Sequence, residues 1–490
     1  MISLGIDCGT QSLKTVALDG DSGQIVGTAT QAYGLVGGLP PGHAEQDPAV
    51  WWAALGETVG KVLSQLGPRK AEVAAIGVSG QQHGFVPLDA NHQVIRPAKL
   101  WCDTSTIAQC EELRGKLGGR DKTIALLGND ILPGYTAPKV LWLKQKEPAN
   151  FSQLAHVALP HDFLNLRLTG NLRMEFGDAS GTALFDVRKR EWSMEACRTI
   201  DDELPRKLPS AGSSLQPAGE LISELAGAWG ISRKVVVSAG GGDNMMAAIG
   251  TGNIAPGIVT ASLGTSGTIF ACSGQPVIDP GGEIAAFCDS TDRWMPLLCT
   301  MNVTVATETF RALFSWDHAR MEKEIAGIPP GADGLLFLPY LQGERTPNLP
   351  DACGVMHGMT ATNTTPAHLA RAAMEGATLG MAYGLRRMET LGLKPREIRL
   401  TGGGSKNAVW RRVAADIFGY PVVTMQSAEG AALGAAIQAI AAADKSRSLA
   451  QWAEWCAAVD ESNRTEPDPD FDAAGLLDRH CDVRRSLFGV

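Results

Sequence analysis

The chain has 490 residues, 44% hydrophobic and 19% charged, with a net charge of −9. That length exceeds one simple core and, at roughly 150 residues per domain, implies two or three domains, while the composition is that of a folded chain. Acid in excess, with no run of Lys or Arg, excludes a nucleic-acid stripe. Ten cysteines stand singly with no C-x-x-C pair, a pattern of reduced thiols rather than a disulfide framework or zinc site. No signal-peptide pattern precedes Ile2, and the longest apolar run, 430–443, is too short to span a bilayer. The expectation is a soluble, cytoplasmic protein.

Residues 2–6 alternate apolar and small, Asp7-Cys8-Gly9-Thr10 makes a tight turn, and the chain returns through Leu13 to Leu18, a β-hairpin. Its tip offers the Gly9 N–H and the Thr10 hydroxyl, both suited to a phosphate. Asp47-Pro48 reads as an N-cap with Pro at N1, so Trp51 and Trp52 belong to a core helix. Residues 76–84, IGVSGQQHG, end a strand in two amides and an imidazole, Gln81, Gln82 and His83. The carboxyl end of a strand is where open α/β sheets bind ligands. Asp103, after a short apolar stretch, adds a carboxylate, and 159–162 is a weaker version of the same pattern. Residues 189–219 read as surface connection.

The stretch 235–249, VVVSAGGGDNMMAAI, runs from strand to glycine turn to helix, with Asp243 at the N-cap position and Asn244 beside it. Asp243 reads either as a cap or as a catalytic carboxylate, and the three glycines as room for ligands. A second hairpin follows at 259–271 with the tip Gly264-Thr265-Ser266-Gly267. Its Thr265 lies 255 positions after Thr10, which suggests a duplicated fold holding a nucleotide. A third glycine turn, Gly402-Gly403-Gly404, leads through Asn407 into a helix, and flat backbone there suits an adenine ring. The small-residue helix near 429–436 permits close approach of another element, and 445–490 reads as a peripheral tail.

Other architectures fail. There is no G-x-x-x-x-G-K-[ST] and no H-E-x-x-H, and the nine histidines show no metal spacing. Residues 250–255 match G-x-G-x-x-A, but a helix precedes them and Pro256-Gly257 follows, the reverse of a dinucleotide site.

Together these motifs resemble the FGGY family of carbohydrate kinases, within the actin-like ATPase superfamily. Asp7-Cys8-Gly9-Thr10 is similar to its first phosphate motif, 263–267 to its second, 402–404 with Asn407 to its adenosine motif, and 240–244 to the stretch carrying the catalytic base. Residues 354–359 through 375 resemble a family signature. Residues 79–84, 134–142 and 338–347 resemble the xylulose-phosphorylating branch, which commonly carries Met where this chain has Gln82 and Asn where it has Cys102.

The resemblance implies two actin-like (ribonuclease H-like) α/β domains of mixed sheets flanked by helices, with ATP and sugar in the cleft between them. It divides the chain into 1–249, 250–444 and a peripheral 445–490. It implies ATP-dependent phosphorylation of D-xylulose at the 5-hydroxyl, with Asp243 as base and Asp7 on Mg²⁺. Gln82, His83, Asp103, Asp243 and Asn244 would hold the sugar. Gly9, Thr10, Gly264, Thr265, Ser266, Gly267, Gly402, Gly403, Gly404 and Asn407 would hold the nucleotide. Expected partners are a ketose and ATP, without nucleic acid or membrane, and a homodimer is carried as an expectation. The alternatives are a kinase for ribulose, glycerol or a related acceptor, and a non-kinase actin-like ATPase.

Overall fold

A computed structural model of the chain describes residues 1–231 and 234–490. Two compact units emerge, each discontinuous in sequence. The first comprises Met1–Ile254, Gly274–Met295 and Glu429–Ala458, and the second Ala255–Ser273, Pro296–Ala428 and Val459–Val490.

In the first unit the strand Ile2–Cys8 turns back antiparallel into Ser12–Asp19, which pairs with Gln24–Ala32. On its other edge Ile2–Cys8 pairs in parallel with Val73–Gly80, and Val236–Val237 pairs in parallel beyond that. The second unit repeats the plan. Ile258–Leu263 turns back into Gly267–Ala271, which meets residues 297–300 of the next strand. On its other edge it pairs in parallel with Glu397–Thr401, and then comes Val422–Met425. Each Gly-Thr tip thus opens a mixed sheet of the same strand order, as duplication requires.

The first strand is buried on both faces, with Ile2, Leu4, Ile6 and Ser3 all at 0% exposure, so its alternation is of large apolar with small residues rather than of apolar with charged ones. One side shares an apolar cluster with Trp51, Leu55 and Val59 of the helix Pro48–Leu66, whose Asp47 cap accepts from Ala49 N–H as expected. The other side meets the helix Gly430–Ala443 at backbone distance. A Cβ on Gly5 would lie 1.9 Å from the Ala432 carbonyl oxygen, and one on Gly77 2.1 Å from that of Ala435. The same helix touches Asp243–Gly250: a Cβ on Gly250 would lie 1.8 Å from Gly430 O, and one on Gly434 1.7 Å from Met246 O. Hydrogen bonds complete the seam. Ser3 Oγ donates to Ala436 O at 2.9 Å, and Gln438 Oε1 accepts from Ser238 Oγ and Gly240 N, each at 2.8 Å.

This seam explains why the units depart from the contiguous division at 249/250 and 444/445. The helix Gly430–Ala443 follows a strand of the second sheet in sequence, yet its small face fits the first unit, where glycines have removed the obstructing side chains. The segment 445–490 is also no peripheral tail. Trp452 and Cys456 of the helix Leu449–Cys456 are buried in the first unit. Val459–Thr465 pairs antiparallel with Val422–Met425 in the second sheet, and Leu476, Leu477 and His480 are buried in Ala473–Phe488. Their helical spacing was masked by Pro and charge in the composition. Residues 189–219 likewise hold a helix, Met194–Ile200, that buries Ala196, Cys197 and Ile200. Among the described residues, no helix is long and apolar enough to cross a membrane.

The seam makes a clean comparison within one helix. Gly434→Ala is expected to cost at least about 2 kcal/mol of stability, because the clash is with backbone that cannot repack. Gly430→Ala, whose Cβ would find its nearest neighbour at 3.9 Å, should stay within about 0.5 kcal/mol of the parent. Chemical denaturation of both variants reads the difference, and equal midpoints would refute the seam.

Candidate active site

In the first unit three strand ends lie side by side. Asp7 is opposite Ser79, and Gly241 of the short strand Gly241–Gly242 is opposite Ser79 on the other side. Ser79 Oγ donates to Asp7 Oδ1 at 2.8 Å. From this edge the chain runs on into Gln81, Gln82 and His83, while Asp243 and Asn244 follow Gly242. Asn244 Nδ2 donates to Gln82 Oε1 at 2.9 Å and to Asp243 Oδ1 at 3.0 Å. Gln82, Asn244 and Asp243 therefore form one hydrogen-bonded chain, although 162 positions separate Gln82 from Asn244. Gln82 is 5% exposed, and its Nε2 is buried with no hydrogen-bond partner among the described residues. A buried amide donor in this state is open to an external acceptor.

Asp243 is not the N-cap. Gly242 occupies that position, and Asp243 is the first helical residue, its Oδ1 accepting from the Asn244 N–H at 2.8 Å. The glycines before it are filled by protein rather than ligand. A Cβ on Gly240 would lie 2.4 Å from Val78 O, on Gly241 2.5 Å from Ser290 Oγ, and on Gly242 2.6 Å from Gln82 Cγ. They bring the turn down onto the strand Val73–Gly80 and let Gln82 lie across it.

Burial pushes the Asp243 carboxyl up to about 7, and the negative charge of Asp7 adds to the rise. Asp7 is also raised by burial, opposed by the Ser79 hydroxyl and by Lys14, whose ammonium pairs with Glu429 at 2.6 Å.

His83 is 8% exposed, with φ of +64°. Its ring lies over Gly181, where a Cβ would come within 2.2 Å of Cε1, edge-on to Tyr135 at 4.8 Å and beside Phe287 at 5.6 Å. Nearby, His161 sits between Asp178 at 2.8 Å and Asp162 at 3.0 Å. These two carboxylates hold its imidazole protonated well above the usual range despite full burial. The weak pattern at 159–162 is thus a buried ion cluster.

Asp103 does not join this group. It is 0% exposed, and its carboxylate accepts from Lys99 Nζ, Ala44 N, Ser105 N and Ser105 Oγ. Lys99, also 0% exposed, reaches Glu45 at 3.1 Å and lies 4.0 Å from the face of Trp142. His43, Glu45 and Asp103 converge in the manner of a metal site, but Lys99 Nζ is within 3.3 Å of a ligand atom on each. An ammonium supplies the positive charge there.

The first hairpin tip is held from several sides. Tyr33 OH donates to Gly9 O and Gln46 Nε2 to Thr10 O, both at 2.7 Å, while Trp101 Nε1 donates to Thr10 Oγ1 at 2.9 Å. Two sequence expectations change. The Gly9 N–H closes the turn onto Ser12 O, and the Thr10 hydroxyl donates to Gln81 Oε1 at 3.0 Å, so neither points to solvent as a free donor.

In the second unit Thr265 and Ser266 are exposed at the tip, while Gly267 is buried against Val303 and Thr300. The third glycine turn rests on the same hairpin: a Cβ on Gly402 would lie 2.7 Å from Leu263 O, and one on Gly404 2.8 Å from Leu263 Cβ. Gly403 faces open space. Gly403, Gly404 and Asn407 line a cavity of about 550 Å³ whose walls mix apolar side chains, Met321, Met374 and Trp410, with polar ones such as Glu308 and Lys406, a size and lining compatible with a purine nucleoside. Asn407 Oδ1 caps its helix through Trp410 N–H at 2.9 Å, so the Nδ2 donor is the group left for a ligand.

Comparison with known proteins now decides the family. Residues 2–250 match the N-terminal domain of the FGGY family of carbohydrate kinases, and residues 259–443 its C-terminal domain. The chain belongs to the FGGY family of carbohydrate kinases. It is 42% identical to a xylulose kinase of Haemophilus influenzae over 89% of this chain and 90% of that one. With the Escherichia coli xylulose kinase the identity is 36%, over 91% of each. Among solved structures, the xylulose kinase of Bifidobacterium adolescentis superposes with a TM-score of 0.84 at 30% identity over 99% of both chains. That of Rhodospirillum rubrum gives 0.93 at 25% identity, over 100% of this chain and 99% of the other. As a carbohydrate kinase of this family, the enzyme takes ATP as its phosphoryl donor.

Several residues of this kinase escaped sequence reading. Ser79, Tyr135, Lys139 and Met374 lay inside the motifs at 79–84, 134–142 and 354–375 without being singled out, while Asp178 and Phe287 reach their places from segments that carried no motif. Trp101 lay in view, but the neighbouring carboxylate drew the inference.

Asp103→Asn is expected to destabilise the fold by roughly 3 kcal/mol, since it leaves the buried Lys99 short of a counter-charge, with sugar KM within twofold of the parent. The Asp103 carboxyl is held below its ordinary range by Ser105, Ala44 and Lys99. Its contribution is therefore present above about pH 4 and lost as pH falls through the lowered value. Thermal melts of parent and variant should converge on acidification; a variant altered mainly in sugar KM would return Asp103 to the sugar site.

Proposed function

We propose that this kinase transfers the γ-phosphoryl group of ATP to the 5-hydroxyl of D-xylulose, giving ADP and D-xylulose 5-phosphate, with Asp243 as the base. The xylulose kinase relatives support the acceptor. The observation that carries the site is the Gln82–Asn244–Asp243 chain, which sets an unpartnered buried donor beside a carboxylate of raised pKa. A polyhydroxylated ketose satisfies both, with one oxygen accepting from Gln82 Nε2 and a hydroxyl donating to Asp243. His83 gives a further contact, and Asp103 drops out.

Asp7 suits Mg²⁺. Ser79 occupies one oxygen of its carboxylate, and Mg²⁺ takes few carboxylates and keeps several waters. The ion would neutralise charge on the phosphates. The chain's own residues do the rest. Asp243 accepts the 5-hydroxyl hydrogen bond, fixes the oxygen lone pair towards phosphorus and takes the proton as the new P–O bond forms. Phosphoryl transfer passes through a loose transition state, so positioning and charge dominate. A free Asp, with a pKa near 3.9, is a weak base at neutral pH. Burial and Asp7 bring Asp243 to about 7, matched to the task. Thr265 and Ser266 supply phosphate donors, and the cavity at Gly403 and Asn407 supplies the adenosine site.

Because the unprotonated carboxylate is the active form, kcat/KM for the sugar should fall as pH drops below about 7. Asp243→Asn should lose at least about 10²-fold in kcat and still bind sugar. In the fold the charged form is disfavoured, so the destabilisation it causes is absent below pH 3.8, grows with pH and is complete above about 7. The variant should therefore gain more in Tm at pH 8 than at pH 5. Near-parent turnover would sink the base assignment, and coupled ADP release over xylulose, ribulose and glycerol tests the acceptor.

A further inference from the structure

Lys139 stands out among the buried groups the reaction does not use. It lies in the first turn of the helix Thr136–Lys146 and is 0% exposed. Its ammonium forms no ion pair among the described residues. It donates instead to two main-chain carbonyls, His83 O at 2.9 Å and Gly134 O. A buried ammonium without a carboxylate is costly, and desolvation pulls this one down to about 7. A side chain retained under that penalty needs something in return.

The carbonyl it holds belongs to the residue most in need of support. His83 is a non-glycine residue at φ +64°, a conformation L-residues adopt only when their surroundings impose it. Thr136 Oγ1 donates to the same carbonyl at 3.2 Å, so two donors from one helix turn fix the His83 peptide. The second Lys139 bond, to Gly134, ties down the turn that presents Tyr135, the ring packed edge-on to the His83 imidazole. One ammonium thus joins the backbone of the histidine to the backbone of its aromatic neighbour, 52 positions later in the chain. Gly181 lies beneath the ring, where any side chain would displace the imidazole, and the Asp178 carboxylate accepts from the His83 backbone N–H.

We propose that Lys139 is a positioning residue for the sugar site: it clamps His83 in its left-handed conformation and holds Tyr135 against it, so that the imidazole faces the acceptor. This rests on the reading of His83 as a sugar contact. Lys139 touches neither substrate and acts through the two backbones it bonds.

The test compares His83→Ala, Lys139→Met and the double variant in the full-length enzyme, with KM for xylulose and for ATP, kcat and Tm measured for each. Met has nearly the length of Lys, and it removes the donor without opening a large cavity. Lys139→Met is expected to raise sugar KM at least tenfold and leave ATP KM within twofold, a split that a general loss of structure does not produce. In the His83→Ala background the same substitution should add less than about threefold, as coupled residues require. A sugar KM unmoved by Lys139→Met, or multiplicative effects in the double variant, would overturn the proposal while leaving His83 in the site. A sugar KM unmoved by His83→Ala would instead overturn the site reading and this proposal with it. If Lys139→Met does not fold, Thr136→Val removes the other donor to the same carbonyl. It should then raise sugar KM about threefold with ATP KM unchanged, and no change would count against the clamp.

Discussion

The face that carries Asp7 and Asp243 depends on one steric constraint, the backbone contact between the helix Gly430–Ala443 and the elements beneath it. Gly5, Gly77, Gly250 and Gly434 each stand where a Cβ would fall about 2 Å from a carbonyl oxygen. With nothing between them, the helix sits against the strands Ile2–Cys8 and Val73–Gly80 and the helix Asp243–Gly250 at once. Those three elements carry Asp7, the Ser79–His83 edge and Asp243. A contact of this kind tolerates little slack, because close-packed backbone has no rotamers to adjust. The relative placement of the two carboxylates is thereby set far from the carboxylates themselves.

On that frame the electrostatics follow from burial. Asp7, Asp178, Glu175 and Asp243 are all raised by desolvation, and cations are few: Lys14 beside Asp7, and His161 protonated between Asp162 and Asp178. The result is an Asp243 carboxyl near neutrality, raised by burial first and by the charge of Asp7 second. The two fully buried lysines show how differently one side chain can be used. Lys99 is satisfied by Glu45, Asp103 and the face of Trp142, and its ionic partners make it a structural centre. Lys139 hydrogen-bonds to two carbonyl oxygens, His83 O and Gly134 O, and feels the Asp103 charge without pairing with it.

Where sequence reading succeeded, the signal was local. The hairpin tips at Thr10 and Thr265, the cap at Asp47, the helix after Asn407 and the strand-turn-helix ending in Asp243 are each written in adjacent residues, since turns and caps depend on the φ/ψ and hydrogen bonds of a few neighbours. Where it failed, the deciding partner was remote. Asp103 resembled a sugar carboxylate until Lys99, Ala44 and Ser105 were seen to use it fully. The glycines at 240–242 looked like space for ligands and proved to be occupied by Val78, Ser290 and Gln82. The last 46 residues looked peripheral, because charge and Pro outnumbered the few apolar positions that build them into both units.

The sequence by itself determined the duplicated hairpins, the family, the glycine turns and the place of Asp243 after a strand and a glycine turn, because each is carried by short runs whose local structure needs no distant partner. The tertiary structure decided the rest. It assigned the helix Gly430–Ala443 to the first unit, joined Gln82 to Asp243 through Asn244, raised Asp243 to about 7, and set His83 under the hold of Lys139. These are properties of what packs against what, and burial and contact between segments 56 to 198 positions apart have no local signature in the chain.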